Sequence, residues 1–130
     1  MATLIKLGNR PKTFKPFDVK FIGAEGEELT IPGVAFKYRT RSEYGALIDS
    51  HSVREAYKPA ADEKFSVEKL LAAVGTNTTA LVLDAVQSWS IDLPVEKATV
   101  EQMLDEEPAS IAALIEAYAA AARDGRLGNS

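Results

Sequence analysis

The sequence predicts an α+β fold: an N-terminal three-stranded antiparallel meander packed against a C-terminal set of four to five helices. Three observations predict it. Apolar side chains alternate with polar ones between glycine turns over residues 17–41, which is the strand period. Beyond residue 42 they recur instead at three- and four-residue spacing, the helix period. The 130 residues are 46% hydrophobic and 26% charged, which suits one domain with one core. The expected organisation is a flexible arm over 1–16 and a single α+β domain over 17–125. Its β-meander covers 17–41 and its helical part 42–125. A short tail covers 126–130.

The arm holds Gly8, Asn9, Pro11 and Pro16, which disfavour regular structure. Phe17, Val19 and Phe21 alternate with Asp18, Lys20 and Ile22 and form the first expected strand. Gly23 to Glu27 is a turn, because glycine tolerates positive φ. Leu29 to Ile31 is a second strand and Pro32-Gly33 a second turn. Val34, Phe36 and Tyr38 form the third. A meander of this kind has one apolar face and needs a cover.

The helices supply the cover. Ser42 is placed to cap a first helix with Tyr44, Leu47, Ile48 and His51 on one stripe. A loop follows over 58–63. Ser66 opens a second helix with Val67, Leu70, Leu71 and Val74 inward. Either Gly75 ends that helix and Thr76 or Asn77 starts a third, or one helix bends at Gly75. Leu81, Val82, Ala85, Val86 and Trp89 share a face. Asp92-Leu93-Pro94 is a loop. Thr99 and Gln102 fit a capping box that starts a short helix through Met103 and Leu104. The last helix has Pro108 in its first turn, where a missing N–H costs nothing. Ile111, Leu114, Ile115, Tyr118 and Ala122 follow, and Gly125 stops it.

No catalytic constellation assembles from these elements. With no cysteine, disulfides, thiolate metal sites and a cysteine nucleophile are excluded. His51 is the only histidine, and its place on a helix stripe marks it as packed and hydrogen-bonded. Gly23-x-x-Gly26 sits in a hairpin turn, not between a strand and a helix, so it is no phosphate cradle. Asp105-Glu106-Glu107 precedes a helix start, where carboxylates favour the positive end of the dipole. Asn77-Thr78-Thr79 matches a glycosylation acceptor in form, and a helix start explains it better. The chain therefore reads as no enzyme, with no cofactor and no metal.

Net charge is −4, unevenly spread. Residues 1–41 hold eight basic and four acidic side chains; the remainder holds seven and fifteen. The basic half reads as a solvated strand face and tail rather than a nucleic-acid surface, because no RNA or zinc-finger motif accompanies it. The amino terminus has no long apolar run and is not a secretory signal. The most apolar stretch, Thr79 to Val86, is short and contains Asp84, so no membrane span is expected.

Residues 82–130 resemble the carboxyl-terminal part of phage tail assembly chaperones. The matching features are a helix leading to Trp89, a linker through Leu93-Pro94, and a short helix with Thr99, Glu101 and Leu104. Pro108, an alanine-rich helix with Tyr118, and the closing Arg126 and Asn129 complete them. The resemblance implies a chaperone of the bacterial host cytoplasm. It would bind the tape measure protein, support assembly of the tail tube around it, and be absent from the finished virion. The tail tube protein and a second copy of the chain are further possible partners. The partner-binding residues it suggests are Trp89, Met103, Leu104, Tyr118, Arg126 and Asn129. Trp89 is open to two readings, core residue or interface anchor. Competing functions are a structural tail or neck subunit, and a small nucleic-acid-binding regulator using the basic half.

Overall fold

In β1 (Phe17–Ile22) and β2 (Glu28–Phe36), alternation turns Val19 and Ile31 inward as a buried antiparallel pair. Their connection is the expected glycine turn. Gly26 takes φ 82°, and its N–H donates to Gly23 O at 3.0 Å. The computed structural model describes residues 4–8, 10–51 and 67–127, with backbone alone over 67–75. The expected loop at 58–63, the helix start at Ser66 and the side chain of Asn129 lie outside the described residues.

Pro32-Gly33 does not reverse the chain. It forms a bulge inside one long β2, between the pairs Phe17↔Val34 and Val19↔Ile31. Pro32 has no N–H for the ladder. Gly33 takes φ 60°, and its N–H donates to Asp18 Oδ1 at 3.0 Å. The expected third strand at 34–38 is therefore the end of β2, continuing past it. The actual third strand, β3 (Val86–Ser88), comes from a stretch read as helix. It pairs antiparallel with β2 through Ala35↔Ser88 and Phe36↔Val86, giving the sheet order β1-β2-β3. Lys37 N–H donates to Ala85 O at 2.7 Å, which ties the helix-to-strand junction to the sheet.

The second half of the arm also belongs to the fold. Thr13 bridges Lys37, Phe14 N–H donates to Phe36 O at 2.9 Å, and Tyr38 N–H donates to Lys12 O at 3.1 Å. These bonds extend the line of β1. Arg10 grips Glu43 through Nη2 at 2.7 and 2.9 Å and lies 5.6 Å from the centre of the Tyr38 ring. Within the expected arm, Phe14 also joins an aromatic cluster with Tyr38 and Tyr118.

Four helices are described. α1 (Arg41–Ser50) is capped by Thr40, not Ser42. Thr40 Oγ1 accepts from Glu43 N–H and Glu43 Oε1 accepts from Thr40 N–H, the reciprocal bonds of a capping box. α2 (Val67–Ala85) runs through position 75 as one helix. α3 (Lys97–Glu106) starts before Thr99. The capping-box reading of Thr99 and Gln102 fails because Thr99 and Val100 turn into the core from the first turn. Gln102 instead donates to Glu106 Oε2 at 2.8 Å. α4 (Pro108–Asp124) has Pro108 at its start and ends on Gly125 at φ 68°; Arg126 N–H donates to Ala120 O at 2.9 Å.

α4 is the central helix, touching β1, α1, α2 and α3. Ile111, Leu114 and Tyr118 from α4 meet Val34 and Phe36 from β2, Val82 from α2, Val86 from β3 and Val100 from α3. Each such side chain, taken fully out of water, contributes about 1.5–3 kcal/mol. Among the described residues no helix is long and apolar enough to cross a membrane.

Candidate partner-binding groove

The hairpin, α3 and the 89–93 loop enclose an apolar groove of about 340 Å³. That falls within the usual range for binding pockets, about 300–1,000 Å³. Phe21, Leu29 and Ile31 form one wall, Ile91 and Leu93 a second, and Met103 with Gln102 a third. Glu106 and Glu107 stand at its rim.

Local chemistry fixes each wall. The 89–93 loop is sewn to the bulge of β2: Ser90 N–H donates to Pro32 O at 2.9 Å. A side chain at Gly33 would strike Ser90 Oγ at 2.5 Å, so the close approach needs glycine as the positive φ does. Trp89 Nε1–H donates to Leu93 O at 2.7 Å and folds the loop back on itself. At the other end, Glu107 Oε2 accepts from Ala24 N–H at 3.2 Å, joining the hairpin turn to the α3–α4 elbow. Glu107 is the N-cap residue of α4, but its side chain makes no capping bond. Ser110 Oγ–H donates to Glu107 O at 2.7 Å. Among the described residues no cation forms a salt bridge with Glu106 or Glu107.

The residues suggested by sequence divide on this frame. Met103 lines the groove. Leu104 is half-buried against the core. Trp89 is also half-buried against the core, one strand beyond the end of α2 rather than on it. It positions the groove wall through Leu93. Tyr118 is 2% exposed and offers a partner no surface. Its ring stacks on Phe36 with centroids 5.2 Å apart. Its hydroxyl donates to Lys37 O at 3.0 Å and accepts from Arg39 Nη1 at 2.9 Å. Burial pushes its phenol pKa up, against the lowering effect of Arg39. Arg126 is exposed and lies 3.3 Å from Asp124, away from the groove-lining residues. Hydrogen bonds from Arg123, with Arg126 adding to them, hold the Asp124 carboxyl down at about 2.

Sequence reading missed Phe21, Leu29, Ile91 and Leu93 as one surface. A signal was present: Ile91 and Leu93 flank Asp92 in a loop, where polar side chains are the rule, and Leu93 is 51% exposed. Their convergence with the hairpin follows from the bulge contact, which periodicity does not encode.

His51 Nε2 lies 2.8 Å from Asp84 Oδ2, and Asn77 Nδ2–H donates to His51 O at 3.1 Å. These contacts join α1 to α2 and leave His51 mostly covered, as the sequence suggested. Among the described residues no group of three or more His, Cys, Asp or Glu side chains is placed to hold a metal.

A family model described as phage tail assembly chaperone matches residues 1–129, essentially the whole chain. No curated protein and no solved structure matches the chain significantly.

Proposed function

Because the chain belongs to the phage tail assembly chaperone family, we propose that its groove holds apolar segments of the tape measure protein during tail assembly. The observation that carries this reading is the groove itself: an apolar lining with Glu106 and Glu107 at its rim. A chaperone must release its client. An apolar groove serves that need, since it offers aliphatic contacts to many sequences without a buried charge pair to fix one of them. Met103 suits this role, because an unbranched thioether adapts to differently shaped side chains. The acidic rim favours client segments in which lysine or arginine flanks the apolar residues. The chaperone acts in the host cytoplasm, keeps the tape measure protein soluble while the tube subunits polymerise, and leaves before the virion is complete.

The test is co-expression with the tape measure protein of the same phage. The wild-type chain is expected to raise the soluble tape measure fraction, and Met103→Asp to raise it much less while melting as a folded protein. No gain in solubility with the wild-type chain overturns the proposal.

A further inference from the structure

We propose that the N-terminal segment Leu4-Ile5-Lys6-Leu7 of one copy occupies the groove of a second copy, so that the free chaperone shields its own client site. The inference rests on the groove being a docking surface, as in the proposed function, and adds its regulation.

The segment is a ligand without a seat. Leu4, Ile5 and Leu7 are 85%, 87% and 91% exposed, although aliphatic side chains in a row are costly to leave in water. Seated in the groove as an added strand, the segment would turn successive side chains to opposite sides. Ile5 and Leu7 then share one side and match the apolar lining supplied by Phe21, Leu29 and Met103. Lys6 points the other way, toward a rim whose Glu106 and Glu107 lack a salt-bridge partner among the described residues.

Geometry assigns the groove to a second copy rather than the same one. The arm joins the sheet where Thr13 meets Lys37, whereas the groove opens at the hairpin end, beside Leu29. From Lys37 to Leu29 the strand line covers about 26 Å at 3.3 Å per residue. The arm runs on away from the groove, since Lys12 lies beside Tyr38, about 30 Å along the strand line from Leu29. From Lys12 back to Ile5 even a fully extended chain reaches only about 24 Å. Within one molecule Ile5 and Leu7 therefore both fall short, while a neighbouring molecule carries no such tether. Two arms exchanged about a twofold axis close a dimer and cover both grooves. A tape measure segment must displace the arm, so self-association and client binding exclude each other.

Sedimentation of the full chain over a range of concentrations tests this. The wild type is expected to dimerise. The double variant Ile5→Asp/Leu7→Asp, and separately Met103→Asp, should weaken the dimer by about tenfold or more. Mixing the two variants restores association through the one intact arm and the one intact groove. Thermal melts show that both remain folded; if Met103→Asp does not, Leu93→Asp replaces it. A wild type that stays monomeric, or a dimer indifferent to Ile5→Asp/Leu7→Asp, overturns the inference. Solubilisation of the tape measure protein is read in parallel. The arm variant should hold it at least as well as wild type, and the groove variant less well. Loss of the dimer with undiminished solubilisation by the groove variant would instead sink the proposed function and leave the arm exchange standing.

Discussion

The indole N–H of Trp89 donates to the carbonyl oxygen of Leu93 at 2.7 Å. That bond spans the loop carrying Ile91, so one hydrogen bond shapes a whole wall of the groove. Trp89 is thus between the two roles its sequence position suggested. It packs on the core and shapes the groove wall that carries Ile91 and Leu93.

Trp89→Phe keeps a ring in place and removes the donor. The expected cost is about 0.5–1.5 kcal/mol of stability, the usual net worth of one hydrogen bond. Hydrogen exchange should quicken over residues 89–93, and client solubilisation should fall. Unchanged exchange in that loop would contradict the wall-forming role.

Tyr118→Phe separates core from interface. The hydroxyl lies between Lys37 O and Arg39 Nη1, and the substitution leaves both without it. Urea unfolding should show a loss of about 1–3 kcal/mol. Client solubilisation by the folded variant should match wild type, because the residue is buried. Lost solubilisation at unchanged stability would return Tyr118 to the binding surface.

Glu43 sets an acid response. Its carboxyl accepts from the Thr40 backbone N–H and then from Arg10, and these hold its pKa at about 2 against an ordinary 4.5. The folded value is depressed, so the stability it contributes is present above 4.5. It is lost as pH falls toward 2. A carboxyl titration followed by NMR should place the Glu43 midpoint near 2. Arg10→Ala should raise that midpoint only part of the way, since the Thr40 bond is the larger cause. A full return to 4.5 in that variant would show that the capping bond does not form.

Legibility in the sequence followed the range of the interaction. α4 was readable from Pro108 to Gly125, because its start, stripe and stop are all local. The β1–β2 turn was readable from its glycines. The α+β class and the antiparallel three-stranded sheet also emerged. The identity of the third strand did not. Val86 fits a helix stripe in sequence, and only pairing with Phe36 makes it a strand. Pro32-Gly33 carries the composition of a turn and acts as a bulge, because Asp18 supplies the bond that keeps the chain straight. The groove was visible in part through Met103. Its other walls meet only through contacts between segments far apart in the chain.

The pairing of Phe36 with Val86 also bears on synthesis. The hairpin can close while the chain is still being made, but the free side of β2 stays open until Ser88 has left the ribosome. Contacts of such separation close slowly and leave an unpaired strand exposed meanwhile. A nascent chain stalled before that point would bear an uncovered edge at Ala35 and Phe36. The helper of tail assembly is then, for part of its own birth, a chain in need of shelter.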